Sequence, residues 1–148
     1  MESLRCRKAR SEDRQILLKW MEELWPGHTE SERDALWKEL RADANAVLLV
    51  AELDGRLAGF AQCQLRRDYV EGSSTSPVGY LEGIYVEPQC RKHGVARALV
   101  TACEQWARQQ GCAEFGSDCE LENRDSWIFH QKVGFEEKGR IICFLKKL

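Results

Sequence analysis

The stretch VGYLEGIYVEPQCRKHGVARA, residues 78–98, decides how the rest of the chain is organised. Its first nine residues form a largely apolar run, which predicts a buried strand, and Pro88 marks the loop that follows. A turn at residues 91–96 then opens a helix, with Gly94 where the backbone must reach a ligand closely or take a positive φ. The N–H groups and dipole of such a helix favour an anion. Further donors come from Arg91, Lys92 and His93. The stretch therefore predicts a site for a phosphate-rich group, most naturally a pyrophosphate.

The composition predicts one domain, residues 1–148, because this length and a hydrophobic content of 43% suffice for one core. The 22 basic and 24 acidic side chains give a net charge of −2. This balance argues against a general nucleic-acid binder and suits local acidic surface that faces a cationic substrate. Since the N-terminal residues are charged and no apolar run reaches transmembrane length, we expect a soluble, cytoplasmic protein with no membrane partner.

The seven cysteines are odd in number and include no C-x-x-C pair. We therefore expect small buried thiols in a reduced protein, rather than a disulfide or a metal site.

Apolar periodicity and turn residues predict the element order β-α-α-β-β-β-α-β-α-β. Asp54-Gly55 is typical of a hairpin turn, and Thr29 with Glu32 is typical of a capping box. Residues 68–77 form a polar loop too long for a tight hairpin, and we expect it to lie over the substrate side of the sheet. The strands are expected at residues 4–8, 46–53, 56 to about 67, 78–86 and 113–118, and the last β of this order is expected as two strands, at residues 135–137 and 140–146.

Several motifs in this chain resemble one known family. Arg91-x-x-Gly94-x-Ala96 after a strand resembles the acetyl-CoA-binding motif of the GCN5-related N-acetyltransferases, the GNAT superfamily. The stretches DYVEG (68–72), TSPVG (75–79), LEGIYV (81–86) and EFGSD (114–118) look like those of the bacterial aminoglycoside 6'-N-acetyltransferases. The resemblance implies an α+β fold with three α/β/α layers around a central mixed, mostly antiparallel sheet. It also implies acetyl-CoA as co-substrate, no metal, and a homodimer.

The resemblance also assigns the cofactor contacts. It implies that the acetyl-pantetheine arm lies along one strand end, that a main-chain N–H of Val86 or its neighbour faces the developing oxyanion, and that the turn after it holds the pyrophosphate. The implied cofactor-binding residues are Ile84, Tyr85, Val86, Arg91, Lys92, His93, Gly94, Val95, Ala96 and Asn123.

Glu82 is a single carboxylate within an otherwise apolar strand. Burying such a charge is costly unless it has a partner or faces a cavity. One interpretation is a structural ion pair. The other, which the resemblance favours, is a carboxylate that holds the substrate's 6'-ammonium and takes its proton, directly or through water.

The resemblance implies further substrate contacts, each with a structural alternative. Asp118 is expected to bind ammonium groups, or else to cap a turn. Tyr69 is expected to stack on a sugar ring, or else to pack its loop. Trp25 matches a Leu-Trp-Pro segment of the family and equally suits a core position. Gly139 stands where related enzymes often carry an acidic residue, so Glu137 or Glu136 would have to substitute for it.

His130 stands four residues before Gly134-Phe135, where many GNAT enzymes carry a tyrosine that protonates the leaving thiolate. An imidazolium can perform this step, and a histidine can equally serve by bonding a carbonyl. We keep both interpretations open.

The motifs and the resemblance together predict an acetyl-CoA-dependent aminoglycoside 6'-N-acetyltransferase that acts by direct transfer, without an acyl-enzyme, and confers antibiotic resistance. Two alternatives remain. One is a GNAT acetyltransferase for another amine, such as a polyamine or a protein terminus. The other is a non-catalytic CoA-binding module.

Overall fold

A five-stranded sheet in the order β1-β2-β3-β4-β5 forms the centre of the computed structural model, which describes residues 2–148. All neighbours pair antiparallel except β4 and β5, which are parallel. The expectation of a mixed, mostly antiparallel sheet is confirmed. The strands are β1 Leu4–Lys8, β2 Ala46–Leu53, β3 Arg56–Arg66, β4 Val78–Val86 and β5 Phe115–Ser117.

Four α-helices cover the two faces of this sheet. Helices α1 and α2 pack over one face on an aromatic cluster that includes Trp20 and Phe60. Helix α3 packs on the other face through an apolar stripe, joined by residues of α4. The three-layer arrangement is therefore confirmed. The helices are α1 Arg14–Leu24, α2 Glu30–Ala42, α3 Val95–Gln109 and α4 Arg124–Lys132, with short 3-10 turns at Ser11–Asp13 and Pro88–Cys90.

The local turn and cap predictions are confirmed. Asp54 and Gly55 have φ values of 52° and 80°, the left-handed pair that a two-residue hairpin turn requires. The Thr29 side chain accepts from the Glu32 N–H while the Glu32 side chain accepts from the Thr29 N–H, which caps α2. Both features depend on neighbouring residues alone, which is why the sequence predicts them correctly.

The expectation that all cysteines are reduced is wrong for one pair. Cys63 of β3 and Cys103 of α3 are joined by a disulfide, and both residues are fully buried. The two positions are 40 residues apart, so their meeting depends on how α3 packs on the sheet. Among residues 2–148, no group of three or more His, Cys, Asp or Glu side chains is arranged to hold a metal ion. No helix in this range is long and apolar enough to cross a membrane.

The two closing strands predicted at residues 135–137 and 140–146 are not formed. Phe135 stacks on Phe115 with ring centroids 5.8 Å apart, and the chain beyond it is exposed and carries no regular structure. A strand needs a partner for its backbone groups, and the described chain offers this segment none. The exposed apolar side chains of this C-terminal segment are Ile141, Ile142, Phe144, Leu145 and Leu148.

Candidate active site

Strands β4 and β5 separate in the middle of the sheet. Their pairing covers three residues of each strand and ends at Leu81 and Ser117. Beyond that point β4 continues for five residues, 82–86, which are half-buried because no strand lies along their edge. The fold therefore opens a groove between the two strands, which we call the β4–β5 opening.

The main chain of β4 turns hydrogen-bond donors toward this opening. The Glu87 N–H donates to the Ala58 carbonyl at 2.8 Å, so it points toward β3. Because peptide groups alternate along a strand, the N–H groups of Val86 and Ile84 point the opposite way. A pairing irregularity between Gln62 and Cys63 places Glu82 in a bulge just before them. Donors held this way suit a carbonyl oxygen that gains negative charge.

The turn that follows β4 has the geometry expected of an anion site. Lys92 and Gly94 have φ values of 67° and 79°, and α3 begins directly after them. The Ala98 N–H makes the first helical bond, to the Gly94 carbonyl at 3.0 Å, which leaves the three preceding N–H groups without a helical partner. Of the basic side chains, Arg91 Nε donates to the Val86 carbonyl, and His93 Nδ1 lies 2.6 Å from a Glu2 oxygen.

Glu82 forms an ion pair, which was one interpretation of its place in the sequence, with a partner that the sequence did not identify. Arg66 binds both of its carboxylate oxygens, at 2.8 Å from Nε and 2.6 Å from Nη2. The same guanidinium lies 3.5 Å from the ring centroid of Tyr80, whose hydroxyl donates to Asp118 at 2.5 Å. Burial, followed by this bond to Asp118, raises the pKa of Tyr80. The structure thus links both carboxylates through Arg66 and Tyr80, in what we call the carboxylate cluster.

The alternation of side chains along a β-strand predicts part of this cluster. Tyr80 and Glu82 are two residues apart in one strand, so they lie on the same face up to the bulge. Arg66 leaves no such signal, because its long side chain reaches Glu82 by crossing the Tyr80 ring.

Trp25 lies against β4 beside the cluster. An added Cβ on Gly83 would stand 2.4 Å from Trp25 Cζ2, so only glycine allows this contact. The indole also meets Phe60 edge-on at 6.1 Å. Its other side borders an open cavity of about 250 Å³ between α1 and α2, lined by Met21, Trp25, His28, Glu32, Arg33 and Leu36. Trp25 is therefore both a core residue and a wall of this cavity.

His130 of α4 reaches β5 at the point where the strands separate. Its Nε2 lies 2.7 Å from the Ser117 hydroxyl oxygen, and its Nδ1 lies 2.7 Å from the Ser126 carbonyl. A carbonyl only accepts, so Nδ1 carries a proton in either charge state of the ring. His130 therefore does bond a carbonyl, and it also directs its second nitrogen at the end of β5.

The remaining predicted residues have local partners. Asn123 caps α4 by accepting from the Ser126 N–H, and Tyr69 is exposed, with its hydroxyl bonded by the Gly72 N–H. Glu137 is bound by Arg140 and by the Trp127 indole, and these bonds lower the pKa of its carboxyl. None of these hydrogen bonds joins Tyr69 or Glu137 to the carboxylate cluster.

Comparison with known proteins gives consistent matches. A family model described as "Acetyltransferase (GNAT) family" matches residues 14–135. The chain is 41% identical over 125 residues to an aminoglycoside N(6')-acetyltransferase type 1 of Salmonella typhimurium, covering 84% of this chain and 86% of that protein. It is 42% identical over 121 residues to the Stenotrophomonas maltophilia protein of the same name, covering 82% and 78%. A solved structure of AAC(6')-Iy with the bisubstrate analogue CoA-S-monomethyl-acetylneamine matches with a TM-score of 0.94 and 36% identity, over 99% of each chain.

Proposed function

Because the chain belongs to the acetyltransferase (GNAT) family, we propose that it transfers the acetyl group of acetyl-CoA directly to the 6'-amino group of aminoglycosides, and so confers resistance to them. The observation that carries this proposal is the β4–β5 opening. It has main-chain donors along one edge, an anion-binding turn at one end and the carboxylate cluster at the other. The proposal treats residues 1–148 as one catalytic domain in the cytoplasm.

The residues around the turn fit acetyl-CoA. The free N–H groups at the start of α3, from Val95 and Ala96 onward, would accept the pyrophosphate, helped by Gly94 and the basic side chains. The pantetheine arm would run along residues 84–86, where the N–H of Val86 or of its outward-facing neighbour Ile84 would stabilise the oxyanion. Asn123 keeps its amide NH₂ free for a contact here, since its cap uses only the oxygen.

The carboxylate cluster fits the cationic acceptor. In this proposal Glu82 and Asp118 hold ammonium groups, and Glu82 takes the proton of the attacking amine, directly or through water. The bidentate pair with Arg66 fixes the orientation of the Glu82 carboxylate before the substrate arrives. Trp25 and Tyr69 would flank the sugar rings.

Glu71 lies beside Gly139, the position where related enzymes often carry an acidic residue. An added Cβ on Gly139 would stand 3.3 Å from Glu71, so this loop carboxylate occupies the space beside the glycine. Glu71 and Glu137 would together present negative charge to the far side of the acceptor.

Release of CoA tests the proposal, with kanamycin or tobramycin as acceptor and a matched analogue that carries a hydroxyl at the 6' position. We expect turnover only with the 6'-amine. Glu82→Gln keeps the shape and loses the charge, so kcat/KM for the acceptor should fall at least about 100-fold. The exposed Glu12→Gln serves as the control variant.

The same assay separates the alternatives. Turnover with polyamines or peptide amino termini, but not with aminoglycosides, would favour another acceptor. Binding of acetyl-CoA without any turnover, and a Glu82→Ala variant with unchanged function, would favour the non-catalytic module.

We also propose that two copies of the chain form a homodimer through the C-terminal segment. Five large apolar side chains are exposed within residues 141–148, after Phe135, beyond which every residue is exposed. This composition favours a strand, and no strand within residues 2–148 pairs with the segment, so a second copy is the partner it fits. Light scattering should give twice the mass of one chain. Phe144→Lys should shift the protein toward monomer, whereas the control Lys146→Glu should not, and a monomeric wild-type protein would contradict the proposal.

A further inference from the structure

Ser117 and His130 form a hydrogen-bonded chain at the inner end of the β4–β5 opening. The Ser117 hydroxyl lies 2.7 Å from His130 Nε2 and 3.3 Å from the Leu81 carbonyl oxygen. His130 Nδ1 donates to the Ser126 carbonyl at 2.7 Å. Both side chains are half-buried, and the Phe135 ring covers the imidazole at 5.1 Å.

This chain can carry a proton in either charge state of the ring. Because Nδ1 is held by a carbonyl, an added proton sits on Nε2 and is donated to the Ser117 oxygen. The serine hydroxyl is then free to donate to Leu81 or to another acceptor. When the ring is neutral, the hydroxyl instead donates to Nε2. The imidazole is thus fixed in the orientation that passes a proton through Ser117.

We propose that Ser117 is a catalytic residue that protonates the leaving thiolate, and that His130 is a positioning residue that resupplies its proton. The inference rests on the proposed acetyl transfer. Ser117 is the last paired residue of β5, and its hydroxyl lies 3.3 Å from the carbonyl oxygen of Leu81, the last paired residue of β4, so it stands where the groove begins. His130 reaches the groove only through that hydroxyl in the described contacts.

Atoms and charge balance in this step. The carbon–sulfur bond of the acetyl thioester breaks, and sulfur keeps the electron pair. The thiolate takes the proton of the Ser117 hydroxyl, and the Ser117 oxygen takes the Nε2 proton of the charged imidazole. Glu82 passes the proton that it took from the attacking amine to water, and the neutral His130 regains a proton from water, so the site returns to its starting state.

Kinetics of Ser117→Ala and His130→Gln test this relay. Each should lower kcat about 100-fold with little change in KM for acetyl-CoA. The double variant should be no slower than the slower single variant, because both remove one relay. Ser117→Thr keeps the hydroxyl and should recover most of the rate, and Ser31→Ala, exposed on α2, serves as the control.

An acetyl donor whose leaving thiolate needs no proton distinguishes a catalytic role of Ser117 from a structural one. With an S-aryl thioester of acetic acid, the thiolate departs unaided, so the deficit of Ser117→Ala should shrink to less than about 5-fold. An undiminished deficit with the aryl thioester, or multiplying effects in the double variant, would overturn the proposal. The comparison works with any amine that the enzyme acetylates. If the enzyme acetylates other amines but no aminoglycoside, the proposed acceptor is wrong. The kinetics of the variants with the amine that is acetylated still support or refute the relay.

Discussion

Gly83→Ala is the substitution that most directly tests how Trp25 is placed. The new methyl group would stand 2.4 Å from Trp25 Cζ2 and 2.9 Å from Leu24 Cδ2. The first distance is about 1 Å short of a normal carbon–carbon contact, so the indole has to move by about that much. Overpacking of this kind costs about 1–3 kcal/mol. For a chain of this length we expect the melting temperature to fall by about 2–12 °C.

The kinetic consequence follows from the proposed position of Trp25 beside the acceptor. A misplacement of about 1 Å can cost on the order of 100-fold when it disturbs the bound geometry. We therefore expect kcat/KM for the aminoglycoside to fall about 10- to 100-fold, measured by CoA release with the acceptor varied.

Gly79→Ala provides the matched control in the same strand. Its methyl group would stand 2.6 Å from Ala107 Cβ on α3, on the opposite face of the sheet. We expect a comparable loss of stability with little change in kcat/KM for the acceptor, measured at a temperature where both variants are folded. Equal kinetic effects of the two substitutions would refute the placement of Trp25 beside the acceptor.

Three further predictions concern single interactions. Thr29→Ala removes the α2 capping box and should lower the free energy of unfolding by about 1 kcal/mol, whereas Thr29→Ser should retain most of it in the same denaturant titration. The hydrogen bond from Arg7 lowers the pKa of the buried Asp13 carboxyl. The ionised carboxylate therefore stabilises the fold fully above the unfolded-state pKa, and this stabilisation disappears as the pH falls through the lower folded-state pKa. The difference in unfolding free energy between wild type and Asp13→Asn should shrink on acidification, and a constant difference would contradict this. Gly94→Ala forces a side chain into φ 79°, which should cost about 1–2 kcal/mol and raise KM for acetyl-CoA more than KM for the acceptor, as steady-state kinetics would show.

The sequence predicts best what depends on neighbouring residues. The apolar runs place β2 and β4 at their observed bounds, and Asp54-Gly55 forms the expected hairpin turn. The turn before α3 is also predicted, because positive φ at Gly94 is a local property of glycine.

The contacts between distant elements could not be predicted in this way. The Arg66–Glu82 pair depends on a bulge in β4, and the Cys63–Cys103 bond depends on how α3 packs on β3. The C-terminal segment has the composition of a strand, but a strand also needs a neighbour, and composition does not name one. The resemblance to the GNAT enzymes singles out His130, while its partner Ser117 appears only once α4 lies against β5.

The β4–β5 opening also bears on how such a site tolerates change over generations. Its donors at residues 84 and 86 belong to the main chain, so exchange of one side chain for another leaves the N–H groups in place. Proline alone removes a donor outright. Mutation can therefore alter the width and polarity of the groove at these positions while the N–H groups proposed to receive the oxyanion persist. In this fold, selection for new acceptors can change the side chains around the groove, while most codon changes leave its main-chain donors intact.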